Sequence, residues 1–254
     1  MKINIFSLQG QRDYNEDRYC TSINDKESIF CLFDGHGGSF VSSYLSKNFL
    51  KYLENNFSSS QINTCLQTIQ KKLQTKYEEK AGECGSTVLV IRLNTKENLL
   101  QVINLGDCRA VIKYGDKVKQ LNTEHKPTNH DEKIRITLSK GELEYDSEDE
   151  IYRVDGYSLS RSMGDTNYDI LSQTAEVKTL KYPNNTEFIV MGTDGLWDVL
   201  SNDYVKKFVE KFNSKDIPNF IEKKSEKNIA YLLCKKALDK GSVDNITVIV
   251  IYLS

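Results

Sequence analysis

The chain has 254 residues, 39% hydrophobic and 28% charged, with 34 Lys and Arg against 36 Asp and Glu, a net charge of −2. That length supports a substantial core without disulfide or metal staples, and the near-neutral balance supplies no basic field for nucleic acid or an anionic membrane surface. No run of about 18 apolar residues exists to span a bilayer. The opening "MKINIFSLQG" lacks the apolar core of a secretion signal and carries Lys2 where myristoylation requires a glycine.

The apolar run "SIFCLF" (28–33) reads as a buried strand that ends on Asp34, with Gly35, His36, Gly37 and Gly38 behind it. Residues 40–57 place Val41, Tyr44, Leu45, Phe49, Tyr52 and Leu53 on one helical stripe, and residues 61–77 do the same with Ile62, Cys65, Leu66, Ile69, Leu73 and Tyr77. The period then shortens. "STVLVIRL" (86–93) and "NLLQVINLGD" (98–107) read as strands, and "RAVIKYGDKVKQL" (109–121) as a hairpin turning at Gly115-Asp116. A short helix is expected over "DEKIRITLSK" (131–140), stopping at Gly141, and a hairpin over "IYRVDGYSLSRS" (151–162), turning at Asp155-Gly156. Strands at 176–182 and 187–194, amphipathic helices at 203–212 and 227–238, and a strand from 244 complete the pattern.

No repeat or linker divides the sequence, so one domain over 1–254, and by default a monomer, is expected. Hairpin-linked strands with paired helices between them give an α+β fold: two stacked, mainly antiparallel sheets covered by helix pairs. The six cysteines (20, 31, 65, 84, 108 and 234) form no Cys-x-x-Cys pair. They read as reduced, small hydrophobes in a cytoplasmic or nuclear setting.

Acids recur where strands stop. Asp34, Asp107 and Asp194 each end an apolar run, Asp244 precedes the last one, and Glu16-Asp17 sit together near the start. One such site is an ordinary turn. All of them gathered at one edge would call for a hard divalent cation with oxygen ligands, because buried carboxylates need a neutralising charge. No thiolate or imidazole cluster at zinc spacing competes, and His125 and His130, in "EHKPTNH", are assigned to a loop. Arg12, four residues before Glu16, offers a guanidinium fork for phosphate. His36, between glycines, can approach such a phosphate as a proton donor.

Eight segments resemble the metal-dependent type 2C protein serine/threonine phosphatases: "SLQGQRDYNED" (7–17), "FDGHGG" (33–38), "GSTVLV" (85–90), "NLGDCRAV" (104–111), "EHKP" (124–127), "RVDGYSLSRSMGD" (153–165), "GTDGLWDVLS" (192–201) and "DNITVIV" (244–250). The resemblance implies a four-layer α-β-β-α sandwich with two Mg²⁺ or Mn²⁺ ions per active site. It implies that Asp34 bridges both ions, that Asp194 and Asp244 complete one, and that Glu16 and the Gly35 carbonyl serve the other. Asp107, with Asp194, matches a weaker third position. Asp17 would orient metal-bound water from behind the ligands, Arg12 would hold the substrate phosphate, and His36 would act as general acid.

The implied reaction is hydrolysis of phosphoserine and phosphothreonine in proteins by a metal-bridging hydroxide, without a covalent phosphoenzyme. In keeping with that, no Cys has an Arg six residues later. Phosphorylated proteins are the expected partners, with no nucleic acid and no membrane. The alternative is a catalytically weak pseudophosphatase that serves as a binding scaffold; a metal-dependent nuclease would need a basic stripe that is missing.

Leu196 and Trp197 are expected to pack the core, and Gly85, Ser86 and Thr87 to bring a strand close to the metal end. Arg161 and Asp165 begin what is a mobile flap in the family. "SQTAEV" lacks the proline the family usually has before the next strand. The acidic stretch 142–150 reads as a solvated loop, with attraction of basic phosphopeptides as its sharper alternative.

Overall fold

In the computed structural model, which describes residues 1–53, 58–148, 150–212 and 216–253, the chain starts with β1 (Lys2–Leu8), β2 (Arg18–Ile23), β3 (Ser28–Phe33) and the two-residue β4 (Gly35–His36). Helices α1 (Phe40–Leu53), α2 (Ser59–Lys76) and the single turn α3 (Glu78–Ala81) follow. α2 begins at a capping box: Ser58 Oγ accepts from the Gln61 N–H while Gln61 Oε1 accepts from the Ser58 N–H. The expected helix over 40–57 is α1 to Leu53; residues 54–57 lie outside the described residues.

Strands β5 (Gly85–Ser86), β6 (Val88–Asn94), β7 (Leu99–Leu105), β8 (Arg109–Tyr114) and β9 (Lys117–Gln120) come next. They lead to α4 (His130–Leu138), β10 (Glu144–Asp146), β11 (Ile151–Arg153), β12 (Met163–Gly164), β13 (Glu176–Lys181) and β14 (Thr186–Gly192). The chain closes with α5 (Asp194–Trp197), α6 (Asn202–Val209), β15 (Phe220–Ile221), α7 (Ile229–Asp239) and β16 (Ile246–Tyr252).

The result is a mixed α/β fold whose sheets are flanked by helices. A six-stranded sheet runs β15-β1-β16-β14-β8-β9, and a five-stranded sheet runs β13-β7-β6-β3-β2. β3 and β16 are buried along their whole length, which explains why they read as unbroken apolar runs. Successive side chains point to opposite faces. Ile249 and Ile251 of β16 therefore pack with Phe30 and Leu32 of β3, while Val248 and Val250 meet Val205 of α6 and Leu233 of α7. Cys31 and Phe33, on the other face of β3, pack against Leu45, Phe49 and Leu66 of the first two long helices.

Two local expectations are corrected. Residues 151–162 do not form one hairpin: β11 pairs with β10, and only the bridge Val154–Tyr157 survives around the Asp155-Gly156 turn. The serines beyond that turn bond elsewhere. The Ser160 N–H donates to the His125 carbonyl, and the Ser162 N–H to the Ser172 carbonyl. His130 is also not in a loop; it is the first residue of α4. In the acidic stretch, Asp146 pairs with Arg153 at 2.8 Å and Glu144 is exposed, while Asp149 lies outside the described residues.

Candidate metal centre

Antiparallel pairing brings the strand-end acids together. Gly192 lies opposite Val248, so Asp194 just beyond β14 and Asp244 just before β16 share one end of the six-stranded sheet. Leu8 lies opposite Ile246, which sends residues 9–17 across that same end. In the five-stranded sheet, Leu32 pairs with Leu89 and Val88 with Leu105, so Asp34 and Asp107 emerge together around Thr87. Carboxylate oxygens of Asp34, Asp107 and Asp194 lie within 4.8 Å of one another. A cavity of about 250 Å³ is lined by Arg12, Glu16, Asp34, Gly35, His36, Asp107, Asp194 and Asp244.

Each group has a specific mounting. The Asp34 N–H donates to Thr87 Oγ1 at 3.0 Å, and the Thr87 N–H returns to the Asp34 carbonyl at 2.8 Å, so the Thr87 hydroxyl serves the backbone of the site. Asn245 gathers the N-terminal segment. Its Oδ1 accepts from the Glu16 N–H at 2.8 Å, and its Nδ2 donates to the carbonyls of Gln9 and Tyr14 at 2.7 and 3.1 Å. Glu16 Oε1 accepts from the Gly38 N–H. Gly35 is obligatory here, since a Cβ would stand 2.6 Å from the Glu16 carbonyl oxygen and 2.8 Å from Ser42 Oγ.

Arg12 reaches the cavity from solvent and places Nη2 2.8 Å from Asp244 Oδ2. Asp17 lies beneath the cavity rather than in its wall: Oδ2 accepts from Thr247 Oγ1 at 2.7 Å and Thr193 Oγ1 at 3.2 Å, and Oδ1 is buried with no hydrogen-bond partner among the described residues. His36 Nε2 sits 2.8 Å from Asp165 Oδ2.

The electrostatics are those of acids crowded without enough cations. Burial, reinforced by the charge of Asp194, holds Asp34 well above the ordinary carboxylate range. Burial and the charges of Asp107, Asp198 and Asp244 do the same to Asp194. Burial pushes Asp17 up to about 7, against the pull of the Thr247 hydroxyl, and Asp107 up to about 6, against the pull of Lys126. An all-oxygen donor set with unneutralised charge and an orphaned carboxylate oxygen behind it fits hard cations such as Mg²⁺ or Mn²⁺.

Trp197 packs the core as expected, its indole N–H donating to the Arg109 and Gly192 carbonyls at 3.1 Å each. His125 is buried, and burial pushes it down to about 4; its Nδ1 accepts from the Gly106 N–H at 3.0 Å and fixes the turn before Asp107. Sequence reasoning missed the supports: Asn245, Thr193 and Thr247, and the contributions of Arg153 and Tyr157 to the cavity wall. Thr247, the one aliphatic hydroxyl inside the run "ITVIVIY", was the available signal.

Comparison with known proteins gives a consistent result. The family model described as "Protein phosphatase 2C" matches residues 2–246. "Probable protein phosphatase 2C 2" of Arabidopsis thaliana is 30% identical over 98% of this chain and 66% of its own length. "Protein phosphatase 1L" of Bos taurus is 29% identical over 97% of this chain and 71% of its own. The chain therefore spans about two thirds of the length of these relatives. Among solved structures, a "C.elegans sex determining protein" superposes with a TM-score of 0.88 at 22% identity, covering 100% of this chain and 65% of that one. A "serine-threonine phosphatase 2C from Toxoplasma gondii" does so with a TM-score of 0.81 at 19% identity, covering 98% and 94%. At those identities the superpositions speak to the fold alone.

Proposed function

The chain belongs to the protein phosphatase 2C family, and from that premise we propose that it hydrolyses phosphoserine and phosphothreonine in proteins with the help of two divalent cations. The carrying observation is the convergence of Asp34, Asp107 and Asp194 within 4.8 Å at the wall of a cavity that Arg12 and His36 also line. In this reading the two large sheets and their helices form the four layers of an α-β-β-α sandwich in one domain, and the cavity opens at the sheets' shared end.

Asp34, Asp194, Asp244, Glu16 and the Gly35 carbonyl would hold the two cations, with Asp107 available to a weaker third. Such ions supply Lewis acidity, which neutralises phosphate charge and makes water nucleophilic at neutral pH. Arg12, paired with Asp244 through Nη2 and more than half exposed, grips phosphate oxygens at the cavity mouth. Asp17, held by two threonine hydroxyls, orients the attacking water from below. His36 donates its proton to the departing serine or threonine oxygen as the P–O bond breaks. No ligand position has been lost, so the scaffold reading has nothing in this site to favour it.

Phosphorylated proteins are accordingly the proposed partners, and a monomer in the cytoplasm or nucleus the proposed form. Six free thiols suit that reducing setting, and among the described residues no helix is long and apolar enough to cross a membrane. The test is release of phosphate from a phosphothreonine peptide in Mn²⁺, repeated with chelator and with Asp194→Ala. Both treatments are expected to abolish turnover; activity that persists through both would defeat the metal mechanism.

A further inference from the structure

His36 is one half of a pair whose other half is 129 residues away. β4, β5 and β12 form a small three-stranded sheet in which His36 lies opposite Gly85 and Gly164 lies opposite the same glycine. Asp165 follows β12 directly, its N–H donating to the Cys84 carbonyl at 3.0 Å. Its carboxylate is fully buried, while the His36 side chain keeps 23% of its surface exposed, on the cavity side. Asp165 Oδ2 takes His36 Nε2 at 2.8 Å and also accepts from Ser162 Oγ.

Gly85 makes the approach possible, because a Cβ there would overlap both Asp165 Oδ2 and His36 Nε2. Tyr157 closes the other side of the imidazole edge-on, with ring centroids 5.2 Å apart. Among the described residues the one ion-pair partner of Asp165 is His36. A buried carboxylate that Ser162 and Tyr157 hold by their hydroxyls and that meets an imidazole as its ion-pair partner, in a slot cut to fit by glycine, is an orienting device.

We propose that Asp165 is a positioning residue for His36: it holds the imidazole by Nε2 and so turns Nδ1–H toward the oxygen that leaves phosphorus. The proposal rests on the phosphatase reading and deepens it. As the bond from phosphorus to the substrate oxygen breaks, the Nδ1 proton passes to that oxygen, water's oxygen having bonded to phosphorus. The ring is left neutral with Nε2–H still on Asp165 and regains its proton from solvent.

The test separates leaving groups. p-Nitrophenolate departs as a stable anion and gains little from a proton donor, whereas a threonine alkoxide needs one. In Mn²⁺, Asp165→Asn is expected to lower kcat on a phosphothreonine peptide by about 10–100-fold with KM nearly unchanged, and to leave kcat on p-nitrophenyl phosphate within about threefold. His36→Gln should show the same split, and the double variant should be no worse than His36→Gln alone. Equal losses on both substrates, no loss on either, or additive losses would overturn the positioning role while leaving the phosphatase reading intact.

An idle wild-type enzyme on both substrates would defeat that reading and this one with it. Should Asp165→Asn not fold, long-range ¹H–¹⁵N spectra of the wild-type protein decide, with His36 assigned among the three histidines by His36→Gln. The neutral ring is expected to carry its proton on Nε2; a bare Nε2 would overturn the proposal.

Discussion

Glu132 and Asp194 are both acids drawn out of water, and the molecule treats them in opposite ways. Glu132 accepts from Arg135 at 3.2 Å, from Arg161 at 2.9 Å and from Ser160 Oγ at 2.7 Å. Burial alone would raise its pKa, yet Arg161 and Ser160 bring it down to about 2. Asp194 has neighbours of its own sign, and burial with their repulsion drives it well above its ordinary value. A carboxylate supplied with its own guanidinium forks is a structural tie. One left among other carboxylates is held ready for charge from solution, and the fold gives up stability to keep it so.

The largest effect that tests this contrast comes from Asp34→Asn. Turnover of a phosphopeptide in Mn²⁺ is expected to fall on the order of 10³-fold, while the metal-free protein becomes more resistant to urea because a repelled charge is gone. Glu132→Gln should do the reverse to stability. Leaving Arg161 and Arg135 without their buried partner should lower unfolding free energy by about 3 kcal/mol, read as a shift of the urea midpoint at constant slope. If Asp34→Asn destabilised the metal-free protein as Glu132→Gln does, the two regions would not differ in kind.

A smaller effect is the pH dependence of the metal-free protein. Asp17 and Asp107 titrate at about 7 and about 6 when folded, against 3.8 otherwise. The folded state thus binds the extra protons, and stability falls as pH rises from the unfolded value through the folded one. His125 slopes the other way: with its folded pKa at about 4 and its reference at 6.5, it adds stability as pH rises across that interval. The window from about pH 7.5 to 8.5 is therefore the clean one, where His125 is close to neutral in both states while Asp17 sheds the last of its extra protons, and the upward shifts of Asp34 and Asp194 act in the same direction. Thermal unfolding in chelator should show Tm declining across it, and saturating Mn²⁺ should flatten the decline. A Tm that rises with pH in chelator would contradict the crowding of acids.

The cluster of Asp34, Asp107 and Asp194 was legible in the sequence because each of the three obeys a one-dimensional rule, an apolar run that stops on Asp. Asp34, Asp107 and Asp194 stand where that rule puts them, and antiparallel pairing brings their strand ends together. What supports them was not legible, because it is set by register between distant strands. Asn245 sits in a plain "DN" yet ties down Gln9, Tyr14 and Glu16. Glu132 is an ordinary-looking acid in the first turn of α4, and only the return of Ser160 and Arg161 past that helix gives it its role. The same return undid the hairpin expected over 151–162, since hydrogen bonds to His125 and Ser172 outweighed the local turn signal.

Lys126 stands between the two regimes and offers the subtlest test. Its Nζ lies 3.3 Å from Asp198 Oδ1, and its charge pulls against the burial that raises Asp107. It acts as a built-in partial counter-ion on the side of the ring where the weaker cation position is proposed. With 36% of its side chain exposed, solvent screens the attraction, so Lys126→Gln should lower metal-free stability by less than about 1 kcal/mol. Cation binding should move in the other direction. Without a resident ammonium to repel it, Mn²⁺ should bind about threefold more tightly by calorimetric titration, a change of well under about 1 kcal/mol. Weaker Mn²⁺ binding in Lys126→Gln would mean that the lysine organises the ring instead of competing for it, and Asp107 would then belong with Glu132 among the acids the fold neutralises by itself.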